Sequence, residues 1–236
     1  MFIRNAYLLV SVSALAILAV PVRATAQDAS QLLAAVRQAM GKALPSHVRL
    51  MASGSGYAAG TDPAAPREHY RIEDYVQELD LTSSTASERF VRVDPDGDGT
   101  SKPQTETRDV SPGSSWSDQR VFWSTPLGFL AAAASRPAML RAETFFGTPY
   151  QVVTFTVDGG QEVHGYITAD NVLERTRTLV DRVPVESVFM SWQDFDGLQF
   201  PSLIVQKEDG QLARVLVVTG LAHDGEAGTA QSKRSD

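Results

Sequence analysis

Four side chains able to do chemistry without a cofactor fall close together in the C-terminal half of the chain: His164, Tyr166, Arg175 and Arg177. Two corners decide whether they meet. Gly159-Gly160 and Asp170-Asn171 have the composition of two-residue hairpin loops, where positive φ is needed. With such loops Val157 faces Glu162, Phe155 faces His164 and Val153 faces Tyr166. Across the second corner Tyr166 faces Arg175 and His164 faces Arg177. One sheet face is then expected to present Val153, Phe155, His164, Tyr166, Arg175 and Arg177, with Val152, Thr154, Thr156, Val163, Gly165, Ile167, Glu174, Thr176 and Thr178 behind it. Two guanidinium groups offer bidentate hydrogen bonds to a carboxylate or phosphate. They also favour a neutral imidazole, so His164 could serve as base and Tyr166 as acid or donor. The same residues equally describe a solvated face finished with cross-strand aromatic–arginine pairs.

Other stretches say less. Asp94-Pro95-Asp96-Gly97-Asp98-Gly99 opens like a calcium loop, but its twelfth position is Thr105, where a bidentate carboxylate is needed. It reads as an acidic turn. Gly54-Ser55-Gly56-Tyr57-Ala58-Ala59 fits a loosened dinucleotide fingerprint, yet Pro63 and Pro66 follow where a helix should start, so the motif is rejected. There is no G-x-S-x-G elbow, H-E-x-x-H or P-loop, and His47, His69, His164 and His223 lack metal-ligand spacing. No cofactor or metal is expected. Trp116, Phe122, Trp123 and Phe129 read as helix core packing. Alternatively Trp116, Trp123 and Phe129 wall an apolar ligand groove.

These residues need a framework. Asp28–Met40 carries apolar side chains at helical spacing and ends at Gly41; Thr125 opens a second helix, TPLGFLAAAASR, with Pro126 in its first turn and Pro137 closing it. Period-two alternation marks strands over His47–Tyr57, Tyr70–Leu79, Glu88–Val93 and Gln119–Trp123, with a turn-rich stretch from Asp94 to Ser117. Six more strands follow: Tyr150–Val157, Glu162–Ala169, Val172–Val180, Val185–Gln193, Phe200–Lys207 and Leu212–Thr219. Their connections are too short for crossover helices, so they form an antiparallel meander. The expected fold is mainly β: a curved antiparallel sheet or half-barrel with an N-terminal helix and one inserted helix.

The N-terminus specifies an address. Arg4, the apolar run Leu8–Val20 and Ala24-Thr25-Ala26 are in the order of a cleavable signal peptide, residues 1–26. The run is shorter than the ~20 residues a membrane-spanning helix needs. The expected mature protein is periplasmic, with one β-rich domain over residues 27–222, a disordered tail over 223–236 and no transmembrane segment. Losing Arg4 and Arg23 takes the formal charge from −7 to −9, since 19 basic residues then face 28 acidic ones. A dispersed acidic surface argues against nucleic acid or anionic lipid headgroups as partners, because both reward a basic patch. The chain has no cysteine, which excludes disulfides and thiolate chemistry.

Several stretches, in order, carry a family likeness: VRLMASGSGY, WSTPLGFLAAA, HGYITADNVLERTRTLV, VPVESVFMSWQDFDGLQFPSLIVQKEDG and LARVLVVTGL. The most specific piece runs from Asp194-Phe195-Asp196-Gly197-Leu198-Gln199-Phe200-Pro201 to Ile204-Val205-Gln206-Lys207. The pattern resembles the N-terminal, non-catalytic domain of exported metallo-β-lactamase-fold hydrolases. In that family an H-x-H-x-D-H zinc site follows; these residues contain none, so zinc hydrolysis is not implied. The strand–helix order also resembles the periplasmic lipoprotein carriers of the LolA and LppX type, in which an open half-barrel shelters an acyl chain. The likenesses imply a non-catalytic binding or accessory protein for a hydrophobic or amphipathic small molecule, or for a partner periplasmic enzyme. The competing expectation is a cofactor-free lyase, isomerase or hydrolase built on His164, Tyr166, Arg175 and Arg177.

Overall fold

Alternating side chains can bury one face only if the strands find neighbours. In the computed structural model, which describes residues 26–41, 44–58, 67–95, 102–157 and 159–224, they all join one sheet. The order along the chain is α1 (Ala26–Ala39), β1 (His47–Ala58), β2 (Glu68–Asp80), β3 (Thr85–Val93), β4 (Gln104–Val110), α2 (Trp116–Trp123) and α3 (Pro126–Ser135). Then come β5 (Ala138–Phe145), β6 (Thr148–Thr156), β7 (Glu162–Ile167), β8 (Leu173–Val180), β9 (Val183–Phe195), β10 (Leu198–Glu208) and β11 (Gln211–His223). Across the sheet the order is β4-β3-β2-β1-β11-β10-β9-β8-β7-β6-β5, antiparallel throughout and not closed. The last strand therefore lies in the interior of the sheet against the first.

All three helices pack on one face, here called the inner face. Ala29, Leu32, Leu33 and Val36 of α1 with Met40 just after it, Val121, Phe122 and Trp123 of α2, and Leu127, Phe129 and Leu130 of α3 are buried against inward side chains such as Leu50, Ile72, Phe155, Phe189, Phe200 and Ile204. Each large apolar side chain so buried contributes roughly 1.5–3 kcal/mol. Arg37 Nη2 donates to the Leu130 carbonyl at 3.3 Å, and Gln199 N–H to the Met40 carbonyl at 2.9 Å, fixing α1 to α3 and to β10. Irregular pairing at Ala52/Gly54, Glu73/Val76 and Gln206/Lys207 bends the strands locally. No helix among the described residues is long and apolar enough to cross a membrane.

The six C-terminal strands and both expected helices are present, with boundaries shifted by a few residues. Four expectations need correction. Gln119–Trp123 is the end of α2, not a strand: Ser115 caps the helix by accepting from Asp118 N–H, and the consecutive buried trio Val121-Phe122-Trp123 suits a covered helix as well as a strand. The stretch from Asp94 to Ser117 contains β4, and Ala138–Phe145 is a further strand. His223 and Asp224, expected in the tail, join the sheet region: His223 closes β11 and the Asp224 carboxylate accepts from the backbone N–H groups of Ser46 and His47 at 3.0 and 3.2 Å. The expected signal peptide up to Thr25, and residues 225–236, lie outside the described residues.

Candidate functional site

The register at each corner decides which face every side chain joins. Asp209-Gly210 is a two-residue loop between the paired Glu208 and Gln211, with both φ values positive. Gly159-Gly160, by contrast, is not a two-residue loop: Val157 N–H bonds the Gln161 carbonyl at 2.9 Å, and Thr156 pairs with Glu162. The observed pairs are consequently Thr154 with His164, Val152 with Tyr166 and Phe155 with Val163. One residue of slip sends β6 side chains to the other side of the sheet. Val153 and Phe155 therefore do not join His164; both are fully buried on the inner face. Val152, Thr154 and Thr156 take their place, while Val163, Gly165, Ile167 and Thr176 line the inner face as expected of them.

The second corner also differs from a two-residue loop, since Thr168 N–H bonds the Val172 carbonyl across Ala169-Asp170-Asn171. A bulge between Tyr166 and Ile167 on one strand, and at Glu174 on the other, absorbs the extra residue. Tyr166 faces Arg175 and His164 faces Arg177, as anticipated. The outer face thus holds the imidazole, the phenol and both guanidiniums together.

Their partners define what they can do. Arg141 Nη1 donates to Thr154 Oγ1 at 3.0 Å, and Thr154 Oγ1 lies 2.8 Å from His164 Nδ1. The other ring nitrogen, Nε2, lies 3.5 Å from Glu162 Oε2. Burial lowers the His164 pKa, Arg141 adds to that effect, and Glu162 opposes it. Arg175 donates to Glu186 at 2.8 Å and Glu174 at 3.1 Å, and lies over the Phe145 ring at 4.5 Å. It is already committed to carboxylates. Arg177 reaches the Tyr166 hydroxyl at 3.5 Å, and Tyr166 donates to Glu143 at 3.4 Å. His164 and Tyr166 line neither of the two larger cavities described below.

The aromatic candidates are packing residues first. Phe129 is 0 % exposed with its ring against Phe155, and Trp123 is buried edge-on to Phe122. Trp116 is half-buried and donates its indole N–H to the Leu179 carbonyl at 2.7 Å, tying α2 to the end of β8. Of the three, Trp123 lines a small cavity of about 10 Å³ beside Arg177.

A different set of side chains does surround space. At the inner face, between α2 and strands β1–β4 and β9–β11, lies a cavity of about 220 Å³. Its floor is a buried ion pair. Glu88 from β3 accepts from Arg214 of β11 at 2.7 and 3.3 Å and from the Tyr75 hydroxyl of β2 at 2.8 Å. Burial alone would raise the Glu88 carboxyl, but Arg214 and the two sets of hydrogen bonds more than offset it, and the pKa falls below the usual value. Burial raises the phenols of Tyr70 and, more strongly, Tyr75, so both stay protonated donors. Gln77 donates to the Val121 carbonyl at 3.1 Å and holds α2 to β2 beside the pair.

At the mouth a second carboxylate, Glu208, is shared by Arg67 at 3.3 Å and by Arg120 of α2 in a shorter contact. Burial acts to raise the Glu208 pKa; Arg120 and then Arg67 outweigh it and hold the group ionised below the ordinary range. Val185, Ile204 and Leu216 supply apolar wall. Convergent polar groups around an enclosed, partly apolar space are the physical marks of a ligand site. A larger and shallower cleft, about 590 Å³, runs along the other end of the sheet past Glu78, Asp109 and Ala222, where exposed His47 lies 3.4 Å from both Asp80 and Asp224. Its charges remain in water, so its contacts are worth less.

None of the cavity's charged residues stood out in the sequence, because they come from separate elements. A signal was nonetheless present. Glu88 sits between inward-facing Ala86 and Phe90, and Arg214 shares a side with Leu216 and Val218. A charge at an inward position of an alternating strand must find a partner inside. No group of histidine, aspartate or glutamate suited to a metal occurs among the described residues. Residues 96–100 of the acidic turn lie outside them.

Comparison with known proteins bears on the fold. No model of a known family matches the chain, and no curated protein matches it. The resemblance to metallo-β-lactamase-fold hydrolases therefore rests on the quoted residues alone. Among solved structures, the chain is similar to a "putative outer membrane lipoprotein-sorting protein domain" from Vibrio parahaemolyticus, at 9 % identity and a TM-score of 0.50 over 88 % of this chain and 96 % of that one. It is also similar to a LolA superfamily protein from Nitrosomonas europaea (14 % identity, TM-score 0.49, 84 % and 93 % covered). A DUF1329 family protein from Desulfovibrio piger gives 9 % identity and a TM-score of 0.47, with 87 % and 95 % covered. The Vibrio likeness shows a shared fold and nothing finer.

Proposed function

We propose that this chain is a non-catalytic binding module, exported to the periplasm by residues 1–26, whose half-barrel takes a small amphipathic molecule in the cavity under α2. One observation carries the reading: the 220 Å³ space combines fixed charges, phenols and aliphatic wall inside the sheet, whereas on the His164 face His164 is engaged by Thr154 and Arg175 by two carboxylates, and neither lines that space. The cavity is small, and Leu127, Phe129 and Leu130 of α3 fill the neighbouring inner face completely. The ligand is thus a short amphiphile: its polar end meets Arg, Glu and Tyr side chains and its apolar end lies against Val185 and Ile204. The lipoprotein-sorting description of the Vibrio domain supports a carrier role for the same architecture, since carriers and sorting factors need a shelter rather than a catalytic group.

The reading is tested by filling the space. Gln206 lines it without joining either ion pair, so Gln206→Trp occupies the cavity and spares the charges. Binding of a fluorescent amphipathic probe should be lost in this variant and kept in Asp109→Asn at the distant cleft. Equal binding in both variants overturns the assignment.

A further inference from the structure

The charges named around the cavity are equal in number but unevenly placed, with Arg92 meeting two carboxylates and Glu208 two arginines. Glu88 is matched by Arg214, Arg108 by Asp118 at 3.7 Å, and Glu106 by Arg92 at 4.0 Å, although Asp94 holds Arg92 more closely at 2.6 Å. Arg67 and Arg120 share Glu208, and among the described residues neither has another carboxylate within 4 Å. Two full positive charges, half-buried or more, are thus answered by one negative charge at the mouth.

Arg67 is also held in place without that carboxylate. Its Nε donates to Gln211 Oε1 at 3.2 Å, Nη2 to the Glu208 carbonyl at 3.4 Å and Nη1 to the Tyr57 carbonyl at 3.5 Å. A guanidinium oriented by neutral acceptors loses little freedom when it takes up an anion. The Glu208 side chain is the resident counter-ion, and it hangs on the last residue of β10 beside the Asp209-Gly210 turn.

Building on the binding reading above, we infer that the cavity selects amphiphiles carrying one oxyanion, a carboxylate or a phosphate, which Arg67 and Arg120 receive together in exchange with Glu208. A neutral ligand leaves the shared carboxylate undisturbed and gains no charge-assisted hydrogen bond. A cationic one meets two guanidiniums. The inference has a sign that a structural role for Glu208 does not share. Removing its charge should strengthen binding of the anion, since competition for two arginines ends.

Isothermal titration with hexanoate, hexyl phosphate, hexanamide, hexylamine and inorganic phosphate separates the possibilities. Wild-type protein should bind hexanoate and hexyl phosphate about ten-fold or more tightly than hexanamide, with hexylamine weakest. Inorganic phosphate binding as tightly as hexyl phosphate identifies a free oxyanion as the source, and much weaker phosphate identifies the headgroup of an amphiphile; both support the anion preference. Glu208→Gln should raise hexanoate affinity, and Arg120→Gln should lower it about ten-fold or more. Circular dichroism establishes that each variant is folded, and the probe comparison on wild-type protein stands if one is not. Equal binding of hexanoate, hexanamide and hexylamine, with loss of all three in Gln206→Trp, overturns the anion preference and leaves the cavity reading intact. Absence of binding by every probe overturns both.

Discussion

Arg214 of β11 sets both terminal nitrogens of its guanidinium on the carboxylate of Glu88 in β3, although the two residues are 126 positions apart and three strands separate in the sheet. Glu88 is 3 % exposed. Removing either partner leaves a buried charge unanswered, which costs about 3–5 kcal/mol, whereas replacing both by apolar groups of similar size is often neutral. Arg214→Leu should lower the unfolding free energy by that amount, read as a lower urea midpoint at unchanged m. The double variant Glu88→Leu with Arg214→Met should recover most of the loss. A single variant as stable as wild type refutes this account of the cavity floor.

Acid should weaken the same contact. The Glu88 pKa lies below the usual 4.5, so its contribution is present in full above about pH 4.5 and is lost as pH falls through the lower folded value. Unfolding free energy measured from about pH 5 down to about pH 3 should drop in the wild type and drop less in Glu88→Gln. Parallel curves contradict the sign.

His164 supplies a second pH signature. Burial and Arg141 depress its pKa below 6.5, so its neutral form favours the folded protein and this contribution fades as pH falls below that value. An NMR titration of the imidazole should give a midpoint under 6.5. Arg141→Gln should move it upward while leaving the fold intact.

Gly165 faces the Phe129 ring so closely that a Cβ there would sit 2.1 Å from the ring's far carbon. Gly165→Ala should therefore destabilise by roughly 1–3 kcal/mol through overpacking. Phe129→Leu, harmful alone, should cost less in the Gly165→Ala background. A double-mutant cycle with no coupling would dismiss the contact.

Phe146 is 94 % exposed and holds a φ of +48° at the first position of the β5–β6 turn, where both central residues have positive φ. Asparagine tolerates that conformation and a bulky aromatic resists it. Phe146→Asn creates an Asn-Gly turn and should raise stability by about 0.5–2 kcal/mol, measured as an increase in Tm.

The C-terminal strands were readable because alternation and turn residues coincide there. Facing was harder. Pairing of Thr156 with Glu162 shifts one corner by a residue and turns Phe155 away from His164, while the bulge at Glu174 cancels an equal error at the next corner. Sequence shows where a chain turns more readily than how many residues the turn consumes. The cavity was illegible for another reason. Arg67, Glu88, Arg120, Glu208 and Arg214 reach one another only once β1 lies against β11, a pairing no local pattern announces.

That pairing has a temporal meaning. Val48 meets His223 and Gly56 meets Arg214, so the strand made first must wait for the strand made last. Long-range pairing of this kind slows folding and leaves unpaired backbone exposed meanwhile. Whether the chain emerges from a ribosome or a translocation pore, β1 remains a sticky margin until its final neighbour arrives. Release before β11 is made would not trim this protein at its border; it would open a gap in the middle.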